Sequence, residues 1–279
     1  MLDAAVSPFR VLEFLAAAGV DVAIGDEPVN RLAPPAQAAP HPMGEGRTAP
    51  TSEKAGSAAT AARPAPPAPD DAVMTARALA KSAPDLETLE KLLGEFDGCA
   101  LKATASRLVF ADGSPGARVM IIGEAPGREE DETGRPFVGR AGHLLDKMLR
   151  AIGLDRTKAY IANIVPWRPP GNRTPTPQEI AICLPFIQRQ IALCAPDVLI
   201  TMGAPATQNL LSQKDGILRL RGRWFEYKCA ERTIPALATL HPAYLLRQPG
   251  QKSLAWRDLR ALKKRLAATP PFNPPSSST

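Results

Sequence analysis

Residues 119–127 read Val119-Met120-Ile121-Ile122-Gly123-Glu124-Ala125-Pro126-Gly127, with Arg128-Glu129-Glu130-Asp131 directly behind them. Four consecutive apolar residues read as a strand buried on both faces, and Gly123 and Pro126-Gly127 break it at its carboxyl end. Glu124 and Glu130 are thereby left on the loop where an open α/β sheet places its ligands. Carboxylates beside a core strand are costly unless something uses them, so this loop is the first candidate for a catalytic site.

Outward from this stretch, strands and helices alternate. Strand 118–122 leads to a helix over 140–151, closed by Gly153. Strand 159–165 precedes a helix from Pro177 to about 193, with Thr176 as N-cap and Glu179 completing a capping box. Strand 197–202 passes through Gly203 into helix 204–212. Residues 217–227 read as an extended hairpin-like excursion, strand 234–240 precedes His241, and a basic helix covers 253–266. The pattern predicts an α/β fold of three layers, α/β/α, around a central four-stranded parallel sheet. Upstream, 8–18 reads as a short amphipathic helix and 73–95 as a second, with Leu79, Leu86, Leu89, Leu92 and Leu93 on one stripe.

The 279 residues contain 30 prolines, unevenly placed. Residues 33–72 are mostly Ala, Pro, Gly, Ser and Thr, too little apolar surface to offset chain entropy, and are read as a disordered linker; 268–279 reads likewise. That leaves 1–32 as a short helical arm and 73–267 as one compact domain. No apolar run reaches the roughly 20 residues of a membrane span, and Met1-Leu2-Asp3 lacks the basic start of a secretory signal, so no membrane association, a cytoplasmic location and reduced cysteines are expected. A net charge of +6 is compatible with a polyanionic partner and proves none.

Polar or aromatic residues that the fold does not need follow three of the four core strands. Glu124 and Glu130 follow the first, with Phe137 further along the same loop; Asn163 ends the second; His241 follows the last. Parallel strands end on one edge, so these groups can converge on one pocket. Taken singly, Phe137 could be core, Asn163 a loop tie, His241 a turn, and Glu129-Glu130-Asp131 a solvated loop. Their joint placement favours a site.

With these residues in view, the chain resembles the uracil-DNA glycosylase superfamily, most nearly its family 4 branch. The resemblance rests on Gly-Glu-Ala-Pro-Gly at 123–127, Gly-Arg-Pro-Phe-Val-Gly-Arg-Ala-Gly at 134–142 and Tyr-Ile-Ala-Asn-Ile-Val at 160–165. It continues through Arg-Pro-Pro-Gly-Asn-Arg-Thr-Pro-Thr at 168–176 and His-Pro-Ala-Tyr-Leu-Leu-Arg at 241–247. It covers about 96–267 and implies base excision repair: a uracil flipped out of single- or double-stranded DNA and cut at its N-glycosidic bond, leaving an abasic site. It further implies that Phe137 stacks on the base and that the Asn163 amide pairs with uracil O4 and N3–H, which cytosine would mismatch. Gly123, Ala125 and Gly127 line the base, and Glu130 or the backbone around Gly127 refuses the thymine methyl. His241 stabilises the departing O2, and Glu124 or Glu130 positions the water, Glu124 first. The first family of this superfamily carries Asp where this chain has Ala125.

The same resemblance makes Leu245 a wedge into the duplex, supported by Tyr244 and Arg247. It gives Arg140, Arg168, Asn172, Arg173, Arg247 and Lys252 to the DNA backbone, whereas Lys263-Lys264-Arg265 reads as the solvated face of the last helix. Family 4 members hold a 4Fe–4S cluster on four cysteines. Here Cys99 and Cys183 are remnants of that set, Phe96 and Trp167 stand at the other two positions, and Cys194 and Cys229 lie off the pattern. Two thiolates cannot supply four ligands, so no metal and no cofactor are expected, short of a rearranged set. No lysine falls within the pocket motifs, so a monofunctional enzyme without strand cleavage is expected. The alternatives are a broader glycosylase acting on hypoxanthine, xanthine or mismatched thymine, and a non-catalytic binder of uracil or abasic sites. A monomer is expected. The arm 1–32 either docks on the domain or recruits a repair or replication protein, and docking is preferred.

Overall fold

Every residue of Val119–Gly123 is buried, and the strand sits inside the sheet, as its unbroken apolar run requires. The structure is a computed structural model that describes residues 69–229 and 232–270. The arm 1–32, the linker up to residue 68 and the tail from 271 lie outside the described residues. In chain order the elements are α1 (Pro69–Ser82), α2 (Leu86–Glu95), β1 (Asp112–Gly113), β2 (Val119–Gly123), α3 (Arg128–Thr133), α4 (Arg140–Ala151) and β3 (Ala159–Asn163). There follow α5 (Pro177–Cys194), β4 (Val198–Met202), α6 (Ala204–Leu211), α7 (Ile217–Leu220), β5 (Trp224–Cys229), β6 (Arg232–Thr239), α8 (Pro242–Arg247) and α9 (Lys252–Ala268).

The sheet order is β1-β3-β2-β4-β6-β5. Its centre, β3-β2-β4-β6, is the expected four-stranded parallel sheet, and two antiparallel edges, β1 and β5, extend it. The chain leaves β2 towards β3 and then crosses back to β4, so β2 stands at a topological switch point, where doubly wound sheets open a crevice beyond their carboxyl ends. Alternation along β2 sends Met120 and Ile122 into one core and Val119 and Ile121 into the other. The first core contains residues of α1, α2, α5 and α6, and the second residues of α4, α8 and α9. Helices cover both faces, giving the three-layer α/β/α architecture.

Three boundaries depart from the sequence reading. The helix expected over 73–95 is two helices: Pro84 cannot continue α1, Asp85 caps α2 by accepting from Thr88 N at 2.7 Å, and Arg189 donates to the freed Ala83 carbonyl at 2.6 and 3.0 Å. The stretch read as linker over 33–72 overlaps α1 at residues 69–72, because the buried face of α1 is alanine (Ala72, Ala76, Ala80), which composition does not distinguish from linker. The stretch read as extended over 217–227 begins with the helical turn α7. Its Leu220 is fully buried, and only after Gly222, at φ +76°, does β5 start. The capping box at Thr176 forms as read, with Thr176 N donating to Glu179 at 2.7 Å and Glu179 N to Thr176 Oγ1 at 3.2 Å.

Candidate active site

The carboxyl ends of β2, β3, β4 and β6 close around a cavity of about 600 Å³. Its lining includes Glu124, Phe137, Asn163 and His241, so the four groups read from separate strand ends and loops do meet. Ala125, Gly127, Glu130, Asn172, Arg173, Tyr244 and Arg247 line it too.

Gly123 and Asn163 are partners across the β2–β3 ladder. A side chain on Gly123 would reach within 2.4 Å of Asn163 Oδ1 and 2.7 Å of the Phe137 ring, so only glycine leaves the buried amide and the ring side by side. The ladder runs on past the strands, Ile164 N to Gly123 O and Val165 N to Glu124 O, both at 3.0 Å, which fixes where Asn163 and Glu124 begin. Phe137 adopts φ +54°, a left-handed conformation that a bulky residue holds only when its surroundings impose it. Arg156 imposes it by donating to the carbonyls of Pro136, at 3.1 Å, and Phe137, while Asp112 and Asp146 hold Arg156. Gly142 allows it, since a side chain there would strike the Phe137 carbonyl. The ring stacks on His241 with centroids 5.4 Å apart.

His241 caps α8: its Nδ1 accepts from Ala243 N at 3.1 Å. Nδ1 therefore carries no proton, and in the neutral ring Nε2 is the donor. Burial first, and then Arg247, depress its pKa to about 4 against a smaller opposing pull from Glu130. The ring is thus neutral near pH 7. Glu124 meets the same burial with the opposite sign, its carboxyl raised above the usual range; Glu124 Oε1 is buried with no hydrogen-bond partner among the described residues.

Glu130 is different. Its carboxylate accepts from Gly127 N at 3.1 Å and from Val138 N and Gly139 N at 2.9 Å each. It straps the loop after β2 to the turn that enters α4, and both oxygens are committed to backbone amides.

The DNA-facing set divides. Leu245, expected as a wedge, does not stand at the surface: it is 1% exposed and packed in the core with Leu145 and Leu149 of α4 and Leu259 of α9. The short helix α8 turns this position inward, against the helix layer, which a loop reading of 241–247 cannot foresee. Arg173 is clamped by Glu179 through bonds of 2.8 and 2.6 Å, so a neighbouring acid already offsets its charge. Arg168 donates to Asn172 Oδ1 at 2.7 Å. Arg140 and Lys252 are exposed at the amino ends of α4 and α9, outside the cavity lining, and Arg247 is exposed at its rim. Sequence reasoning missed Arg156, Gly142 and Gly203. Gly203 ends β4 at φ +89°, with His241 Cβ 3.2 Å from where its own side chain would stand. Its place after a core strand, like that of Gly123, was the available signal.

A four-thiolate cluster does not fit these residues. Cys99 and Cys183 are buried with Sγ atoms 3.9 Å apart, and Phe96 and Trp167 are buried in the same core. Cys229 lies on β5, and among the described residues no three of His, Cys, Asp and Glu come together as a metal site.

Comparison with known proteins gives a match of residues 110–260 to the Uracil DNA glycosylase superfamily. The chain is 41% identical to a type-4 uracil-DNA glycosylase of Thermotoga maritima, over 58% of this chain and 83% of that protein. It is 37% identical to those of Sulfurisphaera tokodaii, over 66% and 87%, and Pyrobaculum aerophilum, over 63% and 91%.

Proposed function

This chain belongs to the uracil DNA glycosylase superfamily, in its type-4 branch, and we infer from that membership that it is a base-excision repair enzyme that hydrolyses the N-glycosidic bond of uracil in DNA. The observation that carries the reading to residues is the convergence of Phe137, Asn163, Glu124 and His241 on one cavity. A base must leave the stack to bring its glycosidic bond into such a cavity.

In the roles we propose, uracil lies against the Phe137 ring and the Asn163 amide donates to O4 and accepts from N3–H. The neutral His241 ring donates from Nε2 to O2, where negative charge collects as the bond breaks; a donor fixed in place before the reaction needs no reorganisation. Glu124, the carboxylate with an oxygen free for a new partner, orients the attacking water and favours the sugar cation. Glu130 acts by shape: its strap holds Gly127 against the pocket, where the thymine methyl would have to fit. No pocket lysine supports Schiff-base chemistry. DNA, single- or double-stranded, is the partner, with Arg140, Arg168, Asn172, Arg173, Tyr244, Arg247 and Lys252 disposed towards it. The working form is a monomer in the cytoplasm, where chromosomal DNA lies, with 73–267 acting as the glycosylase domain. Among the described residues no helix is long and apolar enough to cross a membrane.

Oligonucleotides bearing uracil, hypoxanthine, xanthine or a mismatched thymine, incubated with the protein and then cleaved with alkali, test the reading. Strand scission at uracil alone is expected. Scission at the other bases would mean a broader enzyme, and binding without scission would overturn the catalytic reading.

A further inference from the structure

Helix α9 concentrates the charge of the chain. Its 17 residues carry Lys252, Arg257, Arg260, Lys263, Lys264 and Arg265 against the single acid Asp258, a net +5 of the +6 in the whole sequence. Asp258 is turned inward: it is 2% exposed, accepts from Thr239 Oγ1 at 2.8 Å and pairs with Arg221. Ala255, Leu259 and Leu262 are buried beside it. The outward side is therefore cationic from end to end.

One residue on that side is out of keeping with a merely solvated helix. Trp256 is 43% exposed, one of the few large apolar side chains exposed among the described residues. Positions 252, 256, 260 and 263–264 recur at helical spacing, so Lys252, Trp256, Arg260 and the Lys263-Lys264 pair form one stripe, and all are exposed. The stripe is fixed relative to the cavity at two points. The Asp258–Thr239 bond pins the middle of α9 to the end of β6, two residues before His241. A short turn, Pro249–Gln251, joins Lys252 to α8, whose Arg247 lines the cavity.

We propose that this stripe is a second DNA-contact surface, a track for the strand that flanks the excised base, with the lysines and Arg260 on phosphates and Trp256 stacked on an unpaired base. The proposal rests on the glycosylase reading and adds to it. Cations alternating with an aromatic ring are how proteins hold single-stranded nucleic acid without sequence preference. The helix is about 25 Å long, room for several nucleotides. An anionic membrane is a poorer match, because the apolar face that would enter lipid is occupied by the protein core.

The test measures binding of the full chain, by fluorescence anisotropy, to uracil-free single strands of about 4 and about 16 nucleotides, the limits of common site sizes. Uracil release from a short uracil-bearing strand is followed alongside. On the long strand Trp256→Ala should weaken binding about tenfold, and Trp256→Phe should restore most of it. The triple variant R260A/K263A/K264A should lower the slope of log K against log salt by about 2. Release from the short strand should stay at the wild-type rate, since all these side chains are exposed and outside the cavity lining. Unchanged affinity and slope on the long strand would overturn the track, as would variants that keep their binding to the long strand and lose only binding to phosphatidylserine vesicles, measured by co-sedimentation with the same proteins. A wild-type protein that releases no uracil would sink the glycosylase reading, and binding to uracil-free DNA would still decide the track on its own.

Discussion

Glu124 and His241 feel the same burial and are driven the same way, to their uncharged forms, with opposite consequences for pH. A carboxyl raised above its ordinary value binds more protons folded than unfolded, so the ionised Glu124 weakens the fold as pH rises past the usual carboxylate range. Glu124→Gln should therefore unfold at a higher temperature than wild type at pH 7, with the gap closing below about pH 4.5, while turnover falls about 10²-fold or more. Calorimetry across pH with single-turnover kinetics checks both, and equal or lower stability of the variant at pH 7 would contradict the orphan-oxygen argument. His241, depressed to about 4, binds fewer protons folded than unfolded. Its neutral form contributes stability that is complete above about pH 6.5 and is lost as pH falls towards 4, on the order of 3 kcal/mol. His241→Asn should remove that acid limb and slow the chemical step about 10²–10³-fold, as the loss of an oxyanion donor does. Leu245 belongs to a different ledger. Leu245→Ala should cost about 2–5 kcal/mol of stability and leave the ratio of single-strand to duplex activity where it was. Selective loss on duplex DNA would show that the side chain reaches the helix after all.

Elements differ in how much of themselves they write into sequence. The strand β2 is legible because burial on both faces leaves an unbroken apolar run, and α5 because Thr176 and Glu179 stand at capping distance. The break between α1 and α2 was also written, in Ala83-Pro84-Asp85, but a leucine stripe running across it reads as one helix. The turn α7 is too short to show a period, and α8 hides its inward face in a stretch that reads as loop. Site groups were legible where a polar side chain follows a core strand; Gly203, which follows one with no side chain to announce it, was not. Arg156 and Gly142 were not, because they act on a backbone carbonyl that is remote in sequence or touched only through the turn. Their role makes a prediction at this scale: Gly142→Ala must displace the Phe137 carbonyl, which would lie 1.6 Å from the new methyl. The α4 amino end should shift and Phe137 should leave its left-handed conformation. The expected result is a folded protein whose kcat/KM for uracil release falls by about 10²-fold, the scale of a misplacement near 1 Å. Circular dichroism and steady-state kinetics together distinguish this from unfolding, and wild-type kinetics would show that the Phe137 turn does not position the base.

Across the whole molecule, the two cores do different work. The one containing residues of α4, α8 and α9 surrounds Leu245, behind the catalytic edge. The other ties the amino-terminal helices to the sheet, and the four positions that the family resemblance assigns to iron–sulfur ligands fall inside it: Phe96 closes α2, Cys99 follows, Trp167 follows β3, and Cys183 lies on α5. Phe96 packs on Phe186 with ring centroids 5.4 Å apart, and Trp167 is 2% exposed. Two aromatic rings fill the space and bury apolar area worth several kcal/mol, enough for packing to make the tie between α2 and α5 without ligation. The purified protein should accordingly be colourless and contain no stoichiometric iron. Cys99→Ala and Cys183→Ala should each lower stability by about 1 kcal/mol and leave uracil release near the wild-type rate. The converse experiment is sharper. Phe96→Cys combined with Trp167→Cys removes both rings, at about 3–5 kcal/mol apiece, and puts four thiols back in the family's positions. Prepared without iron, the double variant should be poorly folded. Reconstituted anaerobically with iron and sulfide, it should turn brown and recover a cooperative thermal transition, while either single variant should do neither. A wild-type protein that is brown as isolated, with about four irons per chain, would refute the packing account and require both Cys194 and Cys229 to move towards Cys99 and Cys183.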